Sequence, residues 1–135
     1  MLKSANLAKE IVITVANKIG VLGDISGILS DQGLNIEAAA GYAEGNQAKI
    51  MLVTVDNPRA VEALKKMGYD SIVEKESVMV ELEDKPGALK SILAKLTTAG
   101  IDIKYIYGTT CSAKCPGRLV ITTSDNGKAL EALKK

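Results

Sequence analysis

Apolar and polar residues alternate along Val78–Glu83, with Val78, Val80 and Leu82 on one face and Met79, Glu81 and Glu83 on the other. That period of two predicts a half-buried strand. Glu10–Ala16 is a β-branched run bounded by Asn17, a second strand signal. Each run leads through a glycine turn into helical spacing: Leu22, Ile25, Ile28 and Leu29 after the first, Leu89, Ile92, Leu93 and Leu96 after the second. Gly33 and Gly100 stand where a helix end wants a left-handed residue, so each helix is predicted to close there. Further strands are predicted over 35–43 and 48–55, and again over 102–110 and 118–123. A helix beginning at Pro58, a favoured first helical position, carries Val61, Leu64 and Met67 on one face. Its twin carries Leu130 and Leu133, and Ser71–Lys75 reads as a strand entering the second half.

These elements come from a repeat. Asn17-Lys18-Ile19-Gly20-Val21-Leu22 returns as Asp84-Lys85-Pro86-Gly87-Ala88-Leu89, an offset of 67 positions, as from Gly20 to Gly87. The same offset carries Gly33-Leu34-Asn35-Ile36 onto Gly100-Ile101-Asp102-Ile103 and Gly41 onto Gly108. Residues 57–66 return as 126–135 at an offset of 69, so the second copy holds two extra residues in between. A repeat of turns and caps is a repeat of a folding unit. The unit is β-α-β-β-α-β, the ferredoxin-like arrangement, which makes the chain α+β with helices on one face of antiparallel sheets. The predicted domains are 1–75, opening with a segment 1–9 outside the repeat, and 76–135. The second lacks a final strand of its own, and either Met1–Ala8 or a strand from a partner chain is expected to cover that edge. Ile50–Val55 is apolar on both faces, which predicts that the helix-free face is also covered.

At 135 residues, each copy is small enough that its core is marginal alone. A net charge of +1 with interspersed signs gives no field that attracts nucleic acid or an anionic membrane. No apolar run reaches membrane-spanning length, and no secretion signal opens the chain, so a cytoplasmic protein is expected. The chain has no His, Trp or Phe. Without imidazole, the usual proton shuttle and metal ligand are both missing, which argues against an enzyme and calls for no metal or cofactor.

A doubled βαββαβ unit whose first strand ends in Asn/Asp-x-x-Gly-x-Leu resembles the ACT domain, a small regulatory module that senses amino acids. The second copy matches with Asp84, Pro86, Gly87, Ala88 and Leu89, then Asp102 and Ile103. The first keeps Asn17, Gly20, Val21, Leu22, Asn35 and Ile36, with Ile19 where proline is typical. The resemblance covers residues 10–135. It implies a stand-alone tandem ACT protein that binds an amino acid where units meet, within a chain or across a homodimer. The loop supplies one wall, and Asn35-Ile36 or Asp102-Ile103 the opposite one.

The loop chemistry also stands by itself. A helix start presents unpaired amides and a positive dipole end that hold a carboxylate, and glycine allows close approach. Asn17 or Asp84 would accept from an α-ammonium, or else would simply cap the helix, as both residue types favour. Leu22, Leu89, Ile36 and Ile103 serve equally as core, and Asn35 and Asp102 as turn residues. Three other constellations compete. Cys111 and Cys115 fall in the lengthened loop, and two thiols cannot fill a structural zinc site, so metal or redox use would need a second chain. Tyr105 and Tyr107 share a face with Ile103, but no basic surface accompanies them for RNA. Gly41–Asn46 joins two strands with no GK[ST] behind it, a hairpin and not a phosphate cradle. The expected function is a non-catalytic amino-acid sensor. The alternative is a ligand-free subunit that docks on a metabolic enzyme.

Overall fold

The computed structural model describes residues 2–109 and 115–135. In chain order its elements are β1 (Leu2–Ala16), α1 (Val21–Asp31), β2 (Ile36–Glu44), β3 (Gln47–Thr54), α2 (Asn57–Lys66), β4 (Ile72–Leu82), α3 (Ala88–Thr98), β5 (Ile103–Thr109), β6 (Gly117–Thr123) and α4 (Asn126–Lys134). The fold is α+β with antiparallel strands, as the alternating and helical periods predict. Two strands are longer than expected. β1 starts at Leu2 instead of Glu10, and β4 fuses the strand that ends the first copy with the one that opens the second.

Contacts divide the chain into Lys9–Lys75 and a second unit of Met1–Ala8 with Glu76–Lys135. In the first unit the strand order is β2-β3-β1-β4, β1 entering through Lys9–Ala16 and β4 through its first residues. The Thr14 amide donates to the Ser71 carbonyl at 2.9 Å on the β1–β4 side. Ile11, Ile13, Ile50 and Leu52 of the sheet pack with Ile25, Leu29, Ala60 and Leu64 of α1 and α2. Burying each such Leu or Ile contributes about 1.5–3 kcal/mol, the main force holding helices to sheet. On the other face of β3, Met51 and Val53 are buried too, so this strand is covered on both sides as its two-faced apolar sequence requires.

In the second unit the order is β1-β4-β6-β5. Val78, Val80, Leu82 and Ile121 pack with Ala88, Ile92, Leu96, Ala129 and Leu133. Ala5 is buried in that same cluster, so the N-terminal segment of β1 supplies the strand this copy lacks. β1 lies beside β4 and covers the edge that this copy would otherwise leave open.

The repeat extends to hydrogen-bond register. Ile11 pairs with Leu52 and Gly41 with Ile50 in the first unit. Their counterparts Val78 and Gly108 pair with Ile121 and Leu119, offset by 67 on one strand and 69 on the other. The two extra residues therefore lie in the β5–β6 connection, and both units bulge at the same place, Ile36/Ala38 and Ile103/Tyr105. Helix ends repeat likewise. Gly33 and Gly100 take φ of 70° and 71°, and the Leu34 and Ile101 amides reach back to Leu29 and Leu96 carbonyls at 3.0 Å. This is the glycine-closed end that the spacing predicts. α2 starts one residue earlier than the Pro58 signal suggests, at Asn57, because Asp56 caps it by accepting from the Arg59 amide.

One feature of both units lies outside the periodic patterns. Asn57 Oδ1 accepts from the Thr54 amide at 3.1 Å and hydroxyl at 2.7 Å, and its Nδ2 donates to the Lys9 carbonyl at 2.9 Å. Asn126 repeats this with Thr123 at 2.9 Å and 2.9 Å, and with the Glu76 carbonyl at 2.8 Å. Each asparagine ties the start of the second helix to the strands beside it. Its amide satisfies strand-end groups that the ladder leaves over.

Candidate functional site

The loops after β1 and β4 reach their helices through a glycine in each case. Gly20 and Gly87 are the N-caps of α1 and α3, with φ of 85° and 89°, a left-handed conformation that glycine adopts without strain. A glycine N-cap brings no side chain of its own to cap either helix. The Val21 and Ala88 amides turn back to Lys18 and Lys85 carbonyls at 3.3 and 3.2 Å. The first-turn amides of a helix have no partner within the helix itself.

In the second unit this helix start forms one wall of a cleft of about 400 Å³. Asp84, Ala88 and Leu89 come from the loop and α3, Ile106, Tyr107 and Gly108 from β5, and Leu119 from β6. Leu82 and Ala88 form its base as part of the buried core. Leu89 and Ile106 are 46% and 39% exposed, two of the large apolar side chains this unit leaves to solvent. Gly108 makes the wall possible: a Cβ there would lie 2.3 Å from Leu119 Cδ2 and 2.7 Å from the Arg118 carbonyl. The Leu119 side chain therefore crosses the space a larger residue would fill. Tyr107 stacks on Tyr105 with ring centroids 6.5 Å apart and planes 8° from parallel, an offset arrangement that stiffens this edge strand.

The charges of the cleft sit on one rim. Lys85 Nζ lies 2.8 Å from Glu83 Oε2, and its hydrogen bond and positive charge hold the Glu83 carboxyl below the usual carboxylate range. Asp84 stands between them in the chain. A rim of carboxylates and an ammonium facing an aliphatic wall can receive a small molecule with charged groups at one end and an apolar body at the other.

The remaining expected residues are dispersed. Pro86 and Gly87 belong to the loop without lining the cleft. At the far end of β5, Asp102 pairs with Lys104 at 2.9 Å, and its carbonyl and amide exchange hydrogen bonds with Ser124. Ile103 is half-buried against the core. Within this unit, Asp102 and Ile103 are not brought to the Asp84 loop. In the first unit Ile19 and Val21 line a polar hollow of about 430 Å³ with Lys18, Asp24 and Asp70. Asn35 and Ile36 line another of about 390 Å³ with Ser26 and Ser30. Asn17, Gly20 and Leu22 line neither, and Asn17 uses its amide on the Asn46 carbonyl at 2.8 Å. Ile19 is fully exposed and Leu22 45% exposed, so neither is core.

Ile106, Tyr107, Gly108 and Leu119 line the cleft although no sequence motif marks them as ligand contacts. The available signal was Gly108 recurring opposite a large residue in the ladder. Cys111, with Thr110 at the end of the expected strand, lies outside the described residues, and Cys115 is not a free thiol. Among the described residues no group of acidic or thiol side chains is arranged to hold a metal ion. None of the described helices is long and apolar enough to cross a membrane.

Residues 9–68 match the ACT domain family. No curated protein matches the sequence. Among solved structures the fold is similar to protein BT0572 from Bacteroides thetaiotaomicron, with TM-score 0.88 and 26% identity over 96% of this chain and 88% of that one. It is also similar to the ligand-free regulatory subunit of aspartate kinase from Thermus thermophilus, with TM-score 0.69 and 13% identity over 99% and 97% of the two chains. Aspartate kinase from Synechocystis shares the fold at TM-score 0.66 and 15% identity, 98% of this chain covering 26% of that one.

Proposed function

We propose that this chain is a non-catalytic regulatory protein built from two ACT-type units, and that it senses a small amino acid. The observation that carries the proposal is the cleft of the second unit, where a glycine-capped helix start and the Glu83–Lys85 rim face an aliphatic wall. An amino acid offers the complement: a carboxylate for helix amides and a lysine, an ammonium for carboxylates, and a side chain for the wall. The ACT match over residues 9–68 supports a regulatory role for the chain. Asp102 and Ile103 do not line this cleft, and this reading takes the opposite wall that the resemblance implies from a second copy in a homodimer. A bound amino acid then favours the state in which both walls contact it.

The experiment is a thermal-shift screen of the twenty standard amino acids against the full chain. At about a hundredfold excess over Kd, a ligand that binds only the folded state adds about 2.7 kcal/mol, enough for a shift of several degrees. Asp84→Ala combined with Asn17→Ala should remove the shift while leaving the fold intact, and a double variant that unfolds would instead indicate helix capping. A screen in which every amino acid leaves the midpoint unmoved removes the proposal.

A second reading is a subunit that docks on a metabolic enzyme and needs no ligand of its own. The likeness of the fold, nearly whole chain to whole chain, to an aspartate kinase regulatory subunit favours it. Stoichiometric capture of an enzyme from native extract, with no response to any amino acid, would select this reading.

A further inference from the structure

We infer that the second-unit cleft selects amino acids with an aliphatic side chain, and that Leu89, Ile106 and Leu119 set the selection. This rests on the amino-acid-binding reading above and narrows its ligand class.

The distribution of charge carries the inference. Among the described residues, every charged residue lining the cleft falls in the consecutive run Glu83-Asp84-Lys85, on one rim. The strands opposite contribute Ile106, Tyr107, Gly108, Thr109, Gly117 and Leu119, none of them charged. A zwitterionic head anchored on the rim therefore points its side chain at strand residues that carry no charge. A lysine, arginine, aspartate or glutamate side chain would give up part of its hydration against these strand residues without meeting a counter-ion among them. An aliphatic side chain would instead displace water from apolar surface already exposed, since Leu89 and Ile106 are 46% and 39% exposed.

The wall is also fixed in place. Leu119 lies directly against Gly108, with no room for a Cβ between them, so the side chain is held by the backbone it crosses. Gly41, the counterpart of Gly108, would place a Cβ no closer than 3.5 Å to a neighbour. Ala39 and Ala40 replace Ile106 and Tyr107 in the first copy. The aliphatic wall thus belongs to the second copy.

Isothermal titration of the full chain with leucine, valine and methionine, and in parallel with lysine, aspartate and serine, tests the inference. The expected result is at least about tenfold tighter binding for the aliphatic set, the discrimination a few methylenes provide in an apolar pocket. Leu89→Ala and Ile106→Ala should each weaken leucine about tenfold, and Ile106→Val should restore most of the loss. Both side chains are substantially exposed, and an unchanged melting point verifies that the variants fold. Lysine, aspartate or serine binding as tightly as leucine overturns the selectivity and leaves the sensor reading standing. Leucine affinity unaltered in both alanine variants overturns the assignment of the wall. Binding of no amino acid at all removes both proposals.

Discussion

In the first copy Ala39 and Ala40 stand where the second carries Ile106 and Tyr107, yet the two strands pair in the same register, Ala39 with Leu52 and Ile106 with Ile121. The backbone plan is held constant while the side chains lining it change. Residues that fix geometry repeat: the left-handed glycines at the helix starts and ends, the asparagines tying α2 and α4 to their strands, and the aspartates capping those helices. Of the residues that line the cleft, Lys85 and Leu89 repeat as Lys18 and Leu22, while others change. Glu83 answers Ala16, Asp84 answers Asn17, and the polar hollow with Asp24 and Asp70 occurs in the first unit. Duplication of this kind keeps a scaffold and frees one copy to specialise.

The comparison breaks most readily at the asparagines. Asn57→Ala removes three hydrogen bonds from a buried residue and leaves a strand amide and the Lys9 carbonyl without their partner. It should cost about 3 kcal/mol in urea unfolding, and Asn126→Ala, in a more open setting, about 2 kcal/mol. A loss in only one copy would mean the clamps are not equivalent. Gly108→Ala should cost about 2 kcal/mol, because its Cβ meets backbone, whereas Gly41→Ala should stay within about 0.5 kcal/mol. Equal costs would contradict the steric difference between the copies. Asp56→Ala and Asp125→Ala should each lose about 1 kcal/mol as helix caps, measurable as matched shifts in denaturation midpoint.

The smallest effect is electrostatic. Glu83 should titrate below its ordinary value of 4.5, and Lys85→Ala should raise it toward that value, read by NMR of the carboxyl carbon. A carboxyl lowered by folding supports the fold at pH above its unfolded pKa, and that support fades as pH falls through the folded one. Ala16 gives the first copy no such response. A Glu83 midpoint at or above 4.5 would show that Lys85 does not act on it.

Element types and their order were legible because burial on one face writes a period into the sequence, and Gly33 and Gly100 mark helix ends by a conformation few other residues take. Two features were hidden for physical reasons. Leu2–Ala8 has weak strand periodicity, since its role comes from pairing with residues far along the chain. The Thr54–Asn57 clamp depends on a carbonyl at Lys9, which no local pattern announces. At the cleft, Asp84, Ala88 and Leu89 were legible from the repeated loop. Ile106 and Leu119 were not, since an aliphatic residue on a strand reads as ordinary surface or core until the register brings it opposite the loop.

Backbone amide NMR during a leucine titration tests the specialisation of the second copy most directly. The account predicts saturable shifts at Leu89, Tyr107 and Gly108, with their counterparts Leu22, Ala40 and Gly41 unmoved. Shifts at Leu22, Ala40 and Gly41 instead, or at neither set, would contradict it.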